Sequence, residues 1–150
     1  RRQRQMCIRD RDEAYRDSVK AAIGEKGLTD WVFWQKKAPQ YQMKGVYQQA
    51  DFFLLPTEYE IFGMVLLEAM FFRRVVLTTP NGGADMLLRS GENGIVLEKS
   101  DPARWAEALL DVAADPAKKA RMEQAAYETV IHENTWDALA DRFLKVYEKR

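Results

Sequence analysis

The chain has 150 residues, 47% of them apolar and 31% charged, which is enough for one domain with a full hydrophobic core. Its 23 basic residues balance its 23 acidic ones, so no overall field attracts polyanions and we expect no nucleic-acid partner. The single cysteine, Cys7, excludes an intrachain disulfide framework and a cysteine-based zinc site, which favours a cytoplasmic location.

The first twelve residues are expected to lie outside the fold. Residues 1–11 form a basic tract without helical or strand periodicity, and the string from Gln5 to Arg11 resembles translated adapter sequence. A disordered basic arm is the alternative. We therefore expect residues 1–12 to be unstructured or foreign, and residues 13–150 to form the domain.

Strands and helices alternate along the rest of the chain. Apolar runs predict a buried strand at residues 31–34 and strands covered on both faces at 52–55, 75–77 and 95–97. Apolar spacing, Asp-Pro pairs and a threonine cap predict helices over 13–26, 44–49, 63–72, 84–89 and 102–114, and from 116 and 136 onward. This order indicates an α/β fold with a doubly wound, Rossmann-like parallel sheet.

Ligands of such sheets bind beyond the carboxyl ends of the strands. The turn after Leu55 is the richest of these places, because Gly63 allows close backbone approach and the free amides of Gly63, Met64 and Val65 begin a helix. A helix N-terminus favours phosphate through its unpaired N–H groups and its dipole. An ordinary strand-to-helix turn is the alternative.

Glu68 lies in a helix that is apolar on nearly every side. Burying an unpaired carboxylate costs several kcal/mol, so Glu68 needs a partner. Arg73 or Arg74 could supply an ion pair, and the hydroxyls of a ligand are the other possibility.

Four motifs occur in an order that resembles the family 4 glycosyltransferases of the GT-B fold. Glu60 and Glu68 flank seven residues and, with Phe62 and Gly63, resemble the two-glutamate signature of that family. The other three motifs are an approach strand at 49–57, a Gly-Gly loop at 81–83 and a Gly-x-Asn-Gly turn at 91–96. The match extends over residues 13–150.

The resemblance implies the C-terminal, donor-binding domain of a retaining glycosyltransferase, incomplete at its N-terminal edge. It implies that Glu60 is the catalytic residue, in contact with the donor sugar, and that Glu68 holds the ribose hydroxyls. The amides of Met64 and Val65 would bind the diphosphate, and the nucleobase would lie against residues 35–39. The whole donor-binding set is Glu68, Phe62, Gly63, Met64, Val65, Gly82 and Gly83.

The resemblance also implies a UDP-sugar as donor and no metal, since members generally lack an Asp-x-Asp metal motif and this chain has none. The acceptor would be a glycan or lipid-linked molecule of cell-surface polysaccharide synthesis, bound by another domain. The full enzyme would be cytoplasmic, with peripheral association at the inner face of the membrane. A catalytically inactive nucleotide-binding module is the alternative.

Three departures separate the chain from the family pattern. Arg73-Arg74 stands where the family usually has Gly-x-Pro, and Met86 stands where it often has glutamate. The Arg and Lys that clamp the diphosphate in the family have no match after residue 12. A sugar-nucleotide epimerase is disfavoured, because no glycine-rich turn follows the first strand.

Overall fold

The structure, a computed structural model, describes residues 4–7, 13–35, 39–57, 59–99 and 101–148, with only the backbone at 4–7 and 34–35. The chain divides into two compact units, residues 1–50 and residues 51–150. Within each unit the strands pair in parallel and are connected by helices. The predicted α/β class with parallel strands is therefore confirmed.

The first unit contains one strand pair and its connecting helix. Its elements are β1 (Arg4–Cys7), α1 (Glu13–Glu25), β2 (Val32–Gln35), a 3-10 turn (Gln40–Gln42) and α2 (Met43–Gln49). Gly27 ends α1 with a φ of 63°, the left-handed conformation that a C-cap glycine adopts. β1 lies parallel to β2, with Arg4 opposite Val32.

The prediction that residues 1–12 are unstructured is wrong for Arg4–Cys7, which forms β1. A parallel ladder is held by main-chain N–H and C=O groups, so it forms without apolar alternation in the sequence. The missing periodicity of this tract therefore gave no sign of the strand. The rest of the tract lies outside the described residues.

The second unit is a three-stranded parallel sheet with its helices. Its elements are β3 (Phe52–Leu55), α3 (Met64–Phe71), β4 (Val75–Thr78), α4 (Gly82–Leu87), β5 (Ile95–Val96), α5 (Pro102–Ala114), α6 (Pro116–Glu128), a π-helical turn (Thr129–Glu133) and α7 (Trp136–Tyr147). The strand order is β3-β4-β5. Phe52 lies opposite Val75, and Leu77 lies opposite Ile95.

The central strand, β4, anchors the core of this unit. Val75 and Leu77 pack with Val112 of α5 and Met122 of α6. Val76 points to the opposite face by strand alternation and is fully buried as well. Burying each such aliphatic side chain contributes about 1.5–3 kcal/mol, so β4 is the most firmly held strand of the sheet.

Side-chain caps fix where α4, α5, α6 and α7 of the second unit begin. Asp101, Asp115 and Thr135 each accept a hydrogen bond from the backbone N–H three residues later, as their positions in the sequence predict. The bond from Lys118 N lowers the pKa of the Asp115 carboxyl below its ordinary value. Asn81 caps α4 in the same way, so α4 begins at Gly82 and not at Ala84 as predicted.

The expectation that the apolar runs are covered on both faces is only partly correct. β4 is buried throughout, whereas Leu54 of β3 is 47% exposed. In the first unit, Trp31 and Phe33 are 53% and 38% exposed. An apolar run reports strand propensity, but which face is covered depends on the helices that pack there, and the run does not show that.

A buried asparagine connects the turn before β5 to the π-helical turn. Asn93 is fully buried; its Oδ1 accepts from Arg89 N at 2.6 Å, and its Nδ2 donates to Leu87 O at 3.0 Å and Thr129 Oγ1 at 2.9 Å. The Arg89 guanidinium also donates to Glu133, and this hydrogen bond raises the pKa of Arg89. The network satisfies the polar groups that this turn buries.

Replacing Asn93 with alanine should lower the free energy of unfolding by roughly 2–4 kcal/mol, because two buried hydrogen bonds and one part-buried hydrogen bond lose one partner each. Urea denaturation measures the change. The matched control is Glu107→Ala on the exposed side of α5, which should stay within about 0.5 kcal/mol of the unsubstituted chain. Equal effects of the two substitutions would contradict this role of the network.

Candidate functional site

The carboxyl ends of β3 and β4 are tied together by two threonines. Thr78 Oγ1 donates to Leu55 O at 2.9 Å, and Thr79 Oγ1 donates to Thr57 O. Both threonines are buried, and their hydrogen bonds satisfy carbonyls of the neighbouring strand exit. The two loops that leave these strands therefore start from a fixed separation.

The loop after β3 is closed by Glu60. Its carboxylate oxygen Oε1 accepts from Gly63 N at 3.0 Å and from Phe62 N at 3.3 Å. Its main-chain carbonyl accepts from Gly82 N at 3.0 Å. Glu60 thus links the turn that precedes α3 to the first residue of α4.

The Phe62-Gly63 turn and the Gly82-Gly83 pair pack main chain against main chain. A Cβ on Gly83 would lie 2.8 Å from Phe62 O and 3.0 Å from Gly63 Cα, and a Cβ on Gly82 would lie 2.7 Å from Ile61 O. Gly63 itself has a φ of 73°. The two glycines of α4 are therefore required for contact with the loop. The sequence resemblance assigned them to the ligand and did not include this packing role.

Helix α3 begins at this turn with unpaired amides. Gly63 O accepts from Leu66 N at 2.8 Å and from Leu67 N at 3.3 Å, while no side chain caps the helix. Within the described part of the chain, no hydrogen bond is recorded for the amides of Met64 and Val65. These two N–H groups and the positive end of the helix dipole are thus available to an anion.

Glu68 lies one turn further along α3. It is half-buried, four residues after Met64 and three before Phe71, which are 59% and 48% exposed. Leu66 and Met70 lie on the other side of the helix and are fully buried. Residues at this spacing share one helix face, so Glu68 lies on the open face of α3 and not inside an apolar core as its sequence context suggested.

The side chain of Arg73 contacts two residues of α6. Its guanidinium carbon lies 4.0 Å from the centre of the Tyr127 ring, and Nη1 donates to Gln124 Oε1. Its φ of 56° is left-handed, which explains why glycine is usual at this position of the family motif. Arg74 donates through Nε to Phe72 O at 2.7 Å. The recorded contacts of Arg73 are thus with α6 and not with Glu68.

Asn81 is a structural residue of the site that the sequence analysis did not single out. Its Nδ2 donates to Thr79 O at 2.7 Å and to Thr78 Oγ1 at 3.1 Å, while its Oδ1 accepts from Ala84 N at 2.9 Å. An asparagine directly before a helix that starts with Gly-Gly is a recognisable N-cap signal.

Other sequence expectations fall outside this cluster. Most of the predicted nucleobase loop, residues 35–39, lies outside the described residues. Met86, the departure from the family's glutamate, is 64% exposed on α4. Among the residues described, no group of three or more metal-ligating side chains is placed to hold a metal ion. No helix in the same part of the chain is both long and apolar enough to cross a membrane.

The profile of the family described as glycosyl transferases group 1 matches residues 1–129. The chain belongs to the group 1 glycosyltransferases. It is 33% identical over 125 residues to a D-inositol 3-phosphate glycosyltransferase of Thermomonospora curvata, covering 82% of this chain and 28% of that protein. This glycosyltransferase chain thus spans little more than a quarter of the length of that curated relative.

Solved structures of glycosyltransferases share the fold. The C-terminal domain of LpcC, a group 1 family protein of Francisella tularensis, superposes with a TM-score of 0.77 at 21% identity, covering 84% of this chain and 65% of that one. Anabaena HepE, solved in complex with UDP-glucose, gives a TM-score of 0.76 at 20% identity, covering 93% and 38%. The chain therefore has the fold of a GT-B C-terminal domain.

A Gly83→Ala substitution tests the contact between the two loops. The added Cβ would meet the Phe62 carbonyl and the backbone of Gly63, so the free energy of unfolding should fall by about 1–3 kcal/mol. The control is Gly24→Ala in α1, where nothing lies within 4 Å of the new Cβ. That substitution should stabilise the helix by up to about 1 kcal/mol. A Gly83→Ala variant as stable as the parent chain would contradict the packing.

Proposed function

We propose that this domain binds the nucleotide-sugar donor of a retaining glycosyltransferase, and that the complete enzyme transfers the sugar to a glycan or lipid-linked acceptor. The observation that carries the proposal is the pair of amides of Met64 and Val65 at the start of α3, for which the described part of the chain supplies no hydrogen-bond acceptor. They lie between two glutamates and beside a glycine pair, in a chain that belongs to a glycosyltransferase family.

The diphosphate of the donor is assigned to the N-terminus of α3. The N–H groups of Met64 and Val65 donate to its oxygens, and the helix dipole stabilises its negative charge. That charge grows as the sugar departs, so the same contacts bind the transition state more strongly than the ground state. The proposal requires no metal at this position.

The ribose is assigned to Glu68. Its carboxylate accepts hydrogen bonds from the two ribose hydroxyls, and its place on the open face of α3, one turn beyond the diphosphate amides, supports this. Charged hydrogen bonds of this kind contribute about 1.5–3 kcal/mol each, so Glu68 would carry a large share of nucleotide affinity.

The donor sugar is assigned to the loop of Glu60. In transfer, the bond from C1 to the diphosphate oxygen breaks, and its electron pair leaves with the diphosphate. An acceptor hydroxyl oxygen bonds to C1 from the same face and releases its proton to the departing diphosphate. The carboxylate of Glu60 stabilises the positive charge that develops on the sugar meanwhile.

UDP is the proposed nucleotide. The support is the similarity to HepE, which was solved in complex with UDP-glucose. Polysaccharide synthesis, the acceptor and peripheral membrane association belong to the same proposal and concern the complete enzyme. For the present chain by itself, donor binding without transfer is the expected behaviour.

The proposal predicts that the chain binds UDP more tightly than GDP or ADP in isothermal titration. Glu68→Gln should weaken UDP binding about tenfold, since a charged acceptor of the ribose hydroxyls becomes neutral. Glu107→Gln, an exposed change on α5, is the matched control and should bind as the parent does. Because dUDP lacks the 2′-hydroxyl, Glu68→Gln should affect dUDP less than UDP.

Two results would overturn the assignment. Undiminished UDP binding by Glu68→Gln removes the ribose role of that residue. A folded chain that binds none of the three nucleotides contradicts the donor site as a whole. Incubation with UDP-glucose separates the remaining alternatives, because release of glucose or transfer by the isolated chain rules out a binding-only module.

A further inference from the structure

We propose that Glu60 is also a positioning residue for the diphosphate, in addition to its role at the sugar. Its carboxylate holds the Phe62-Gly63 turn in the conformation that points the amides of Met64 and Val65 outward. One oxygen of the side chain does this, while the other is left for the donor sugar. The inference rests on the proposed function of the same site.

The backbone of the turn before α3 orients the two amides. Met64 and Val65 are the first two residues of α3, so the direction of their N–H groups follows from the backbone of Gly63, whose φ is 73°. Glycine is the residue with the widest choice of backbone conformations, so Gly63 alone does not restrict the turn to the observed conformation. The N-cap residue Gly63 also provides no side-chain capping bond to α3.

The side chain of Glu60 holds this turn through hydrogen bonds to its backbone. Glu60 Oε1 accepts from Gly63 N at 3.0 Å and from Phe62 N at 3.3 Å. The carbonyl of the same residue accepts from Gly82 N at 3.0 Å, which fixes Glu60 to α4. Hydrogen bonds from backbone N–H groups to a carboxylate are stronger than neutral ones, so the side chain closes the loop across three residues.

The two carboxylate oxygens of Glu60 have different surroundings. Both recorded side-chain hydrogen bonds of Glu60 use Oε1, and among the described residues no partner of Oε2 is recorded. One oxygen can therefore tie the turn while the other faces the donor sugar. A single side chain then couples the place where the sugar reacts to the place where the diphosphate binds.

The test uses UDP, which lacks the sugar, together with three substitutions of Glu60. Glu60→Gln keeps an oxygen that can accept from Phe62 N and Gly63 N, so UDP affinity should stay within about threefold of the parent. Glu60→Ala loses both bonds, and Glu60→Asp is one methylene too short to reach them. Both should weaken UDP binding about tenfold, which corresponds to ~1.4 kcal/mol.

Charge alone predicts a different pattern. Removing a carboxylate near a diphosphate lowers repulsion, so Glu60→Gln and Glu60→Ala would bind UDP equally well or better than the parent. A residue that touches only the sugar would leave UDP affinity unchanged in all three variants. Either pattern would overturn the positioning role.

Amide hydrogen exchange supplies a readout that needs no ligand. The Gly63 amide should be protected in the parent chain and in Glu60→Gln, and should exchange at least about tenfold faster in Glu60→Ala. Exchange rates in the core strand β4 report whether each variant is folded. If the parent binds no UDP, the proposed function fails, while equal Gly63 exchange in parent and Glu60→Ala refutes the positioning role by itself.

Discussion

The site depends on one close contact, in which the main chain of the Phe62-Gly63 turn rests on the Gly82-Gly83 pair. Added Cβ atoms on the pair would come within 2.7–2.8 Å of carbonyl oxygens of the loop, so no other residue type fits there. The contact joins the loop after β3 to the start of α4. The contact limits the positions open to the Phe62-Gly63 turn, from which α3 and its first two amides start.

The surrounding hydrogen bonds make this contact rigid. Thr78, Thr79 and Asn81 satisfy the polar groups at the strand exits, and Glu60 satisfies two amides of the turn. Among the described residues, no hydrogen-bond acceptor is found for the N–H groups of Met64 and Val65, which lie at the positive end of α3. A preorganised pair of donors costs little to reorganise when a diphosphate develops charge, which is the property that catalysis by such a site requires.

Apolar runs, Asp-Pro caps and the Thr135 cap predicted nearly every strand and helix of residues 13–148, because those signals are local. The sequence did not predict β1, because a parallel strand pair is held by hydrogen bonds to the backbone of a strand distant in sequence. Family motifs singled out Glu60, Glu68 and the Gly-Gly pair as candidate donor-site residues, and their roles toward the donor stay predictions. The motifs could not show that Gly83 packs against the Phe62 carbonyl with no room for a Cβ. Nor could they show that Arg73 takes a left-handed conformation against Tyr127, since both features depend on tertiary contacts.

The most direct measurement is a titration of the ¹⁵N-labelled chain with UDP, followed by the chemical shifts of its backbone amides. If the diphosphate binds at the start of α3, the shifts should be saturable, largest at Met64 and Val65, and should extend along α3 to Glu68. A shallow cavity of about 350 Å³, whose lining includes Lys118 and Arg121 of α6 together with Glu92, offers the nucleotide an alternative position. Largest shifts around that cavity, with unchanged amide shifts at Met64 and Val65, would rule out the start of α3 as the diphosphate site.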